Sequence, residues 1–138
     1  MTTQYWLAKS EPETYSWADL MRDGRTDWTG VRNYAARLHL KAMRRGDRVL
    51  FYESVTTKAA MGVAEVTKTA FEDPTADEPG WVAVELKAAD AFEAPVTLEQ
   101  IKQAPALAKM VLLHNSRLSV QPVTAAEFKA ILKLAGAR

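Results

Sequence analysis

The sequence predicts an α+β domain built on a curved, mostly antiparallel sheet or small barrel. Strand-like runs and capped helical segments follow one another irregularly, without the steady β-α-β alternation of a parallel sheet. The 138 residues suit one compact core, so residues 1–138 are expected to form a single domain; the sequence does not fix its oligomeric state, and a monomer is favoured. Apolar residues make up 48% of the chain and charged ones 25%, a globular balance that excludes a disordered or collagen-like polymer.

Each element has a local reason. Tyr5-Trp6-Leu7-Ala8 is a short apolar run of the kind that forms a buried strand, and Pro12 prevents a long continuation. Ser16 followed by Asp19 is a capping pattern, with Trp17, Leu20 and Met21 on one helix face and Gly24 as the stop. Trp28 then stands among turn-formers, between Asp27 and Thr29-Gly30. Beyond Gly30, Ala36, Leu40 and Met43 recur at i, i+4 and i+7 as an apolar helix stripe, and Arg37, Lys41 and Arg44 repeat that spacing about 100° away. Gly46-Asp47 closes this helix before the β-prone run Val49-Leu50-Phe51-Tyr52.

Residues 61–67 and 81–86 read as two further strands, separated by the acidic loop EDPTADEPG, which is expected to be mobile. Thr97 with Gln100 and Thr124 with Glu127 are two more capping boxes, the first ahead of Ile101 and the second ahead of Phe128, Ile131 and Leu132. Gly136 ends the last helix, and residues 118–123 form a final strand.

Several chemistries find no support. The chain has no cysteine, and its two histidines, His39 and His114, share no HxxxH or HExxH frame, so neither a metal nor a cofactor is expected. Ser54 and Ser116 lack a nucleophile elbow, no glycine-rich phosphate loop is present, and Glu11, Glu13 and Glu65 have no spacing that marks an acid/base pair; no catalytic residue is assigned. The opening MTTQYWLAKSEP does not read as a secretion signal, and no segment approaches the ~20 apolar residues of a membrane span, so a cytoplasmic location without membrane contact is expected. A net charge of +1 requires any nucleic-acid site to be local.

The candidate binding residues cluster. Trp28, Tyr34, Phe51 and Tyr52 lie near Arg32 and Asn33, a mixture that stacks on a base and bonds to its edge, although Phe51 is assigned to the core. Ser116, Arg117 and Ser119 bring two hydroxyls and a guanidinium fork to the last strand, where Arg117 has the alternative of a surface ion pair. Arg37, Lys41 and Arg44 form either a solvated helix face or a phosphate-contacting stripe.

The blocks YWLAKSEPETYSW (5–17), WTGVRNYAAR (28–37), MRRGDRVLFY (43–52), GVAEV (62–66) and SRLSVQPV (116–123), in this order, resemble the EVE domain family over essentially the whole chain. The resemblance implies a PUA-like fold, a small bent β-barrel with flanking helices related to YTH domains. It also implies a non-catalytic reader whose partner is DNA or RNA carrying a modified base, with modified cytosine in DNA foremost. The pocket would then draw on Lys9, Ser10, Trp28, Arg32, Asn33, Tyr34, Tyr52, Ser54, Ser116, Arg117 and Ser119. The family's usual histidine between the tyrosine and serine of the third block is Glu53 here, and strand alternation turns Glu53 away from Tyr52 and Ser54. A small hydrolase or nucleotide-processing enzyme using the same cavity, and a protein-interaction adaptor, are the competing functions.

Overall fold

The computed structural model describes residues 3–136. β1 (Tyr5–Ser10) leads into α1 (Trp17–Asp23), and a short β2 (Arg25–Asp27) passes on to α2 (Tyr34–Ala42). β3 (Arg48–Glu53), β4 (Ala59–Glu72) and β5 (Val82–Thr97) follow as a meander. α3 (Leu98–Gln103), a 3-10 turn (Pro105–Leu107) and α4 (Val111–His114) return the chain to β6 (Val120–Val123), and α5 (Ala125–Leu134) completes it.

The strands form one sheet in the order β2-β5-β4-β3-β1-β6. Among the described residues only the β1–β3 ladder is parallel; α1, β2 and α2 supply the long crossover such a pair needs. Among the described residues no ladder joins β2 to β6, so the sheet is open, and it bends through bulges. The register slips repeatedly along β4–β5 and again between Phe51 and Tyr52.

Alternation along the strands sends side chains into two cores, one on each face. Trp6, Ala8, Val49 and Phe51 point to the face covered by α1 and α2, where Trp17, Leu20, Ala36, Leu40 and Met43 meet them. Leu7, Leu50 and Tyr52 point to the other, against Ile101, Leu107, Leu112, Phe128 and Ile131. Gly62 permits Trp17 of α1 to pack tightly on the sheet: a Cβ there would lie 2.6 Å from the Asp90 carbonyl oxygen of the adjacent strand and inside the Trp17 ring's contact distance.

The capping patterns at Ser16/Asp19, Thr97/Gln100 and Thr124/Glu127 all form reciprocal capping boxes, and Asn33 caps α2 through its side-chain oxygen. Several expectations are corrected. β4 and β5 run well beyond the predicted spans, because their outer halves pair with each other over alternating, partly exposed residues. β2, read from sequence as part of a turn, is a three-residue edge strand. Met21 is half exposed and lies off the buried face of α1, which Trp17 and Leu20 occupy. The acidic loop at 72–80 is tethered: Asp73 is buried and bonded to residues far away in the chain.

Candidate functional site

The tether builds one wall of a cleft. The Asp73 carboxylate accepts from the backbone N–H of Gly30 (2.8 Å), from Arg32 Nη1 (2.9 Å), and from Thr75 N–H (2.8 Å) and hydroxyl (2.6 Å). Burial pushes this carboxyl's pKa up, but the bonds from Thr75, Gly30 and Arg32 outweigh burial and hold it well below the usual carboxylate range. The connection 28–33 is thereby fixed over the sheet, and an open cleft of about 640 Å³ lies against it. Lys9, Ser10, Trp28, Arg32, Asn33 and Ser119, all expected in the pocket, line this cleft. Residues not foreseen also line it: Glu11, Thr14 and Tyr15 from the β1–α1 connection, Thr26 and Asp27 from β2, and Thr29.

Three of the predicted roles change in the structure. Trp28, expected from its turn-rich setting to stack on a base, is only 8% exposed and packs edge-on against Phe51, with ring centroids 5.5 Å apart and an 85° interplanar angle. It is a core residue whose remaining surface faces the cleft. Arg32 spends its guanidinium on Asp73, Thr75 and the Val31 carbonyl, so it acts first as a strut. The side-chain oxygen of Asn33 is consumed in capping Ala36, which leaves the amide Nδ2 as its free donor among the described residues.

Tyr34 lines no described cleft. It is exposed and lies 5.2 Å from Trp81, and Arg37 sits 4.9 Å from each of their ring centroids. Arg37 also donates to the Gly80 carbonyl at 3.2 Å. Within the basic stripe, Arg37 is thus half-buried against aromatic rings, whereas Lys41 and Arg44 are exposed.

The other candidates belong to a second cleft, of about 430 Å³, lined by Tyr52, Ser54, Ser116 and Arg117 together with Lys58. The single pocket implied by the motifs is thus two neighbouring clefts. Trp28 and Tyr52 pack in opposite cores, and the sheet separates them. Lys9, Glu11 and Ser119 are common to both clefts, because the β1 end and the start of β6 meet there: Lys9 N–H donates to Ser119 O at 2.8 Å. Lys9 Nζ reaches the Ser116 carbonyl at 2.9 Å, and burial draws its pKa down.

Glu53 lines neither cleft. Buried at the end of β3, it accepts from the Trp17 backbone N–H and from the Thr57 hydroxyl, each at 2.8 Å, so both carboxylate oxygens serve the fold. Among the described residues, no group of three or more His, Cys, Asp or Glu side chains could hold a metal ion, and no helix is long and apolar enough to cross a membrane.

A bent, mixed six-stranded sheet between two helical layers, with clefts where β1 meets β6, defines a PUA-like domain. The chain belongs to the EVE domain family, whose model matches residues 4–134. It is 32% identical over 166 residues to mouse thymocyte nuclear protein 1, a match covering 96% of this chain and 74% of that protein. Among solved structures it is similar to a Rhodopseudomonas palustris protein at 47% identity, with a TM-score of 0.92 and coverage of 97% of this chain and 94% of the other. It is also similar to human THYN1 protein in complex with DNA containing 5-methylcytosine, at 30% identity and a TM-score of 0.89, over 99% of each chain.

Proposed function

We propose that the chain is a non-catalytic reader that accepts a modified base, flipped or unpaired, in the Trp28 cleft, and that modified cytosine in DNA is its ligand. The observation that carries this reading is the cleft itself. It combines the aromatic surface of Trp28 with unused polar groups such as Asn33 Nδ2, and its volume of about 640 Å³ falls within the range that small ligands occupy. The complex of human THYN1 protein with 5-methylcytosine-containing DNA supports the choice of base and nucleic acid.

The placement of the candidate nucleophiles Ser54 and Ser116 and of the carboxylate Glu65 outside the Trp28 cleft supports binding over bond-making, whereas Glu11 and Asp27 do line it. The test is a titration of oligonucleotides with and without 5-methylcytosine, as single- and double-stranded DNA and as RNA, with nucleosides recovered and quantified afterwards. Preference for the methylated DNA and unchanged nucleosides are expected. Equal affinity for all oligonucleotides would overturn the reader, preference for a modified RNA would overturn the assignment to DNA, and product formation abolished by Ser54→Ala or Glu65→Gln would make the protein an enzyme.

A further inference from the structure

With the base assigned to the Trp28 cleft, the second cleft still carries a concentration of donors. Lys9, Lys58 and Arg117 line it, and among the described residues none of them has a carboxylate within ion-pair distance. The hydroxyls of Ser54, Ser116 and Ser119 make no hydrogen bond among those residues either. One carboxylate, Glu11, lines the same cleft and opposes the three cations, so the balance remains positive. Tyr52 adds a phenol that burial pushes up to about 12, which keeps it a donor at any physiological pH.

The loop beside this cleft is strained and fastened. Val55 and Lys58 have φ of 64° and 55°, and they are the non-glycine residues in the left-handed region among those described. For a β-branched residue such as Val55 this is a true outlier, and strain of this kind gathers at ligand clamps. The surroundings hold the loop in place: Thr57 donates to Glu53, Thr56 donates to Glu13 at 2.6 Å, and the Lys58 carbonyl accepts from Leu98 N–H at 2.9 Å. A cation and a hydroxyl, Lys58 and Ser54, are thereby presented to the cleft from the turn that joins β3 to β4.

We infer that the second cleft is a phosphate subsite in which Lys58, Arg117 and the serine hydroxyls take a phosphate group. Resting on the reading of the Trp28 cleft as the base site, the phosphate is supplied by the backbone of the same strand, because Lys9 and Ser119 belong to both walls. The strand passes over the junction of β1 and β6, with the base on one side and a flanking phosphodiester on the other.

The test compares wild type, Lys58→Gln and Arg117→Gln on a 5-methylcytosine oligonucleotide, on the nucleoside 5-methyl-2′-deoxycytidine and on inorganic phosphate followed by backbone NMR shifts. Both side chains are exposed and without partners, so both variants are expected to melt with the parent. Each should bind the oligonucleotide roughly three- to tenfold more weakly and lower the salt slope by about one, with nucleoside binding unchanged. Shifts at 54–58 and 116–119 with inorganic phosphate, without a change in oligonucleotide slope, would support the subsite but assign it to free phosphate. Parental slopes together with no phosphate-induced shifts would overturn it. The base reading is judged separately, from the ratio of methylated to unmethylated affinity in the wild-type protein.

Discussion

Replacing Asp73 tests whether the 72–80 loop is a structural tether or a solvated bulge. In Asp73→Ala the N–H of Gly30, the guanidinium of Arg32 and two donors of Thr75 lose their acceptor at once. Removing one partner of a buried ion pair costs about 3–5 kcal/mol. Here Arg32 is 38% exposed while the Asp73 side chain is fully covered, so water recovers part of the loss. The expected destabilisation is about 2–3 kcal/mol, a melting temperature lowered by roughly 8–12 °C for a domain of this size. Asp73→Asn keeps an acceptor but removes the charge facing Arg32, and should cost about half as much.

The pH dependence provides an independent check. The folded Asp73 carboxyl titrates below its unfolded value, so its contribution is fully present above the unfolded pKa of about 3.9 and is lost as pH falls from there through the folded value. Urea unfolding of wild type and Asp73→Asn should therefore show a constant gap from pH 7 down to about 4 and a shrinking gap at lower pH. An Ala variant within ~0.5 kcal/mol of the parent at neutral pH, or a gap indifferent to acid, would refute the tether.

Other substitutions separate structure from binding. Trp28→Ala should cost about 3–5 kcal/mol, as a buried tryptophan in contact with Phe51, and Trp28→Phe much less; thermal melts decide this, and a near-parental Ala variant would place Trp28 outside the core. Gly62→Ala should destabilise by about 1–3 kcal/mol, because the new methyl meets the Asp90 carbonyl and the Trp17 ring; chemical denaturation showing no loss would mean the layers can part freely. Glu53→Gln should be nearly neutral, since an amide can accept from Trp17 N–H and donate to the Thr57 hydroxyl, whereas Glu53→Ala should lose about 1–3 kcal/mol. Both Glu53 variants should retain parental oligonucleotide affinity, measured at a temperature where each is folded.

What the sequence revealed was chiefly local. A capping box is complete within four residues, so Ser16, Thr97 and Thr124 announced their helices without help from the rest of the chain. Strand alternation likewise turned Glu53 away from Tyr52 and Ser54, and Glu53 does line neither of the clefts that its neighbours enter or border. The partition of the candidate site into two clefts was hidden because it depends on which sheet face each residue takes and on the bulge between Phe51 and Tyr52. Asp73 was equally obscure: it lies in an acidic loop of ordinary appearance, and its partners Gly30 and Arg32 precede it by 43 and 41 residues. The Asp-Pro-Thr sequence was the available hint, since an aspartate that bonds the N–H two residues on forms a local turn.

The position of β1 between β3 and β6 also has a consequence for how the domain assembles. The ladder that brings Ala8 beside Val120 joins residues 112 positions apart, so closing it carries a large cost in chain entropy. Both clefts take Lys9 from one side of that seam and Ser119 from the other. The walls are therefore incomplete in every partly folded form that lacks the seam, and a ligand spanning it stabilises only the finished domain. Closing the β1–β6 seam and completing the walls of both clefts are thus one event in the sheet.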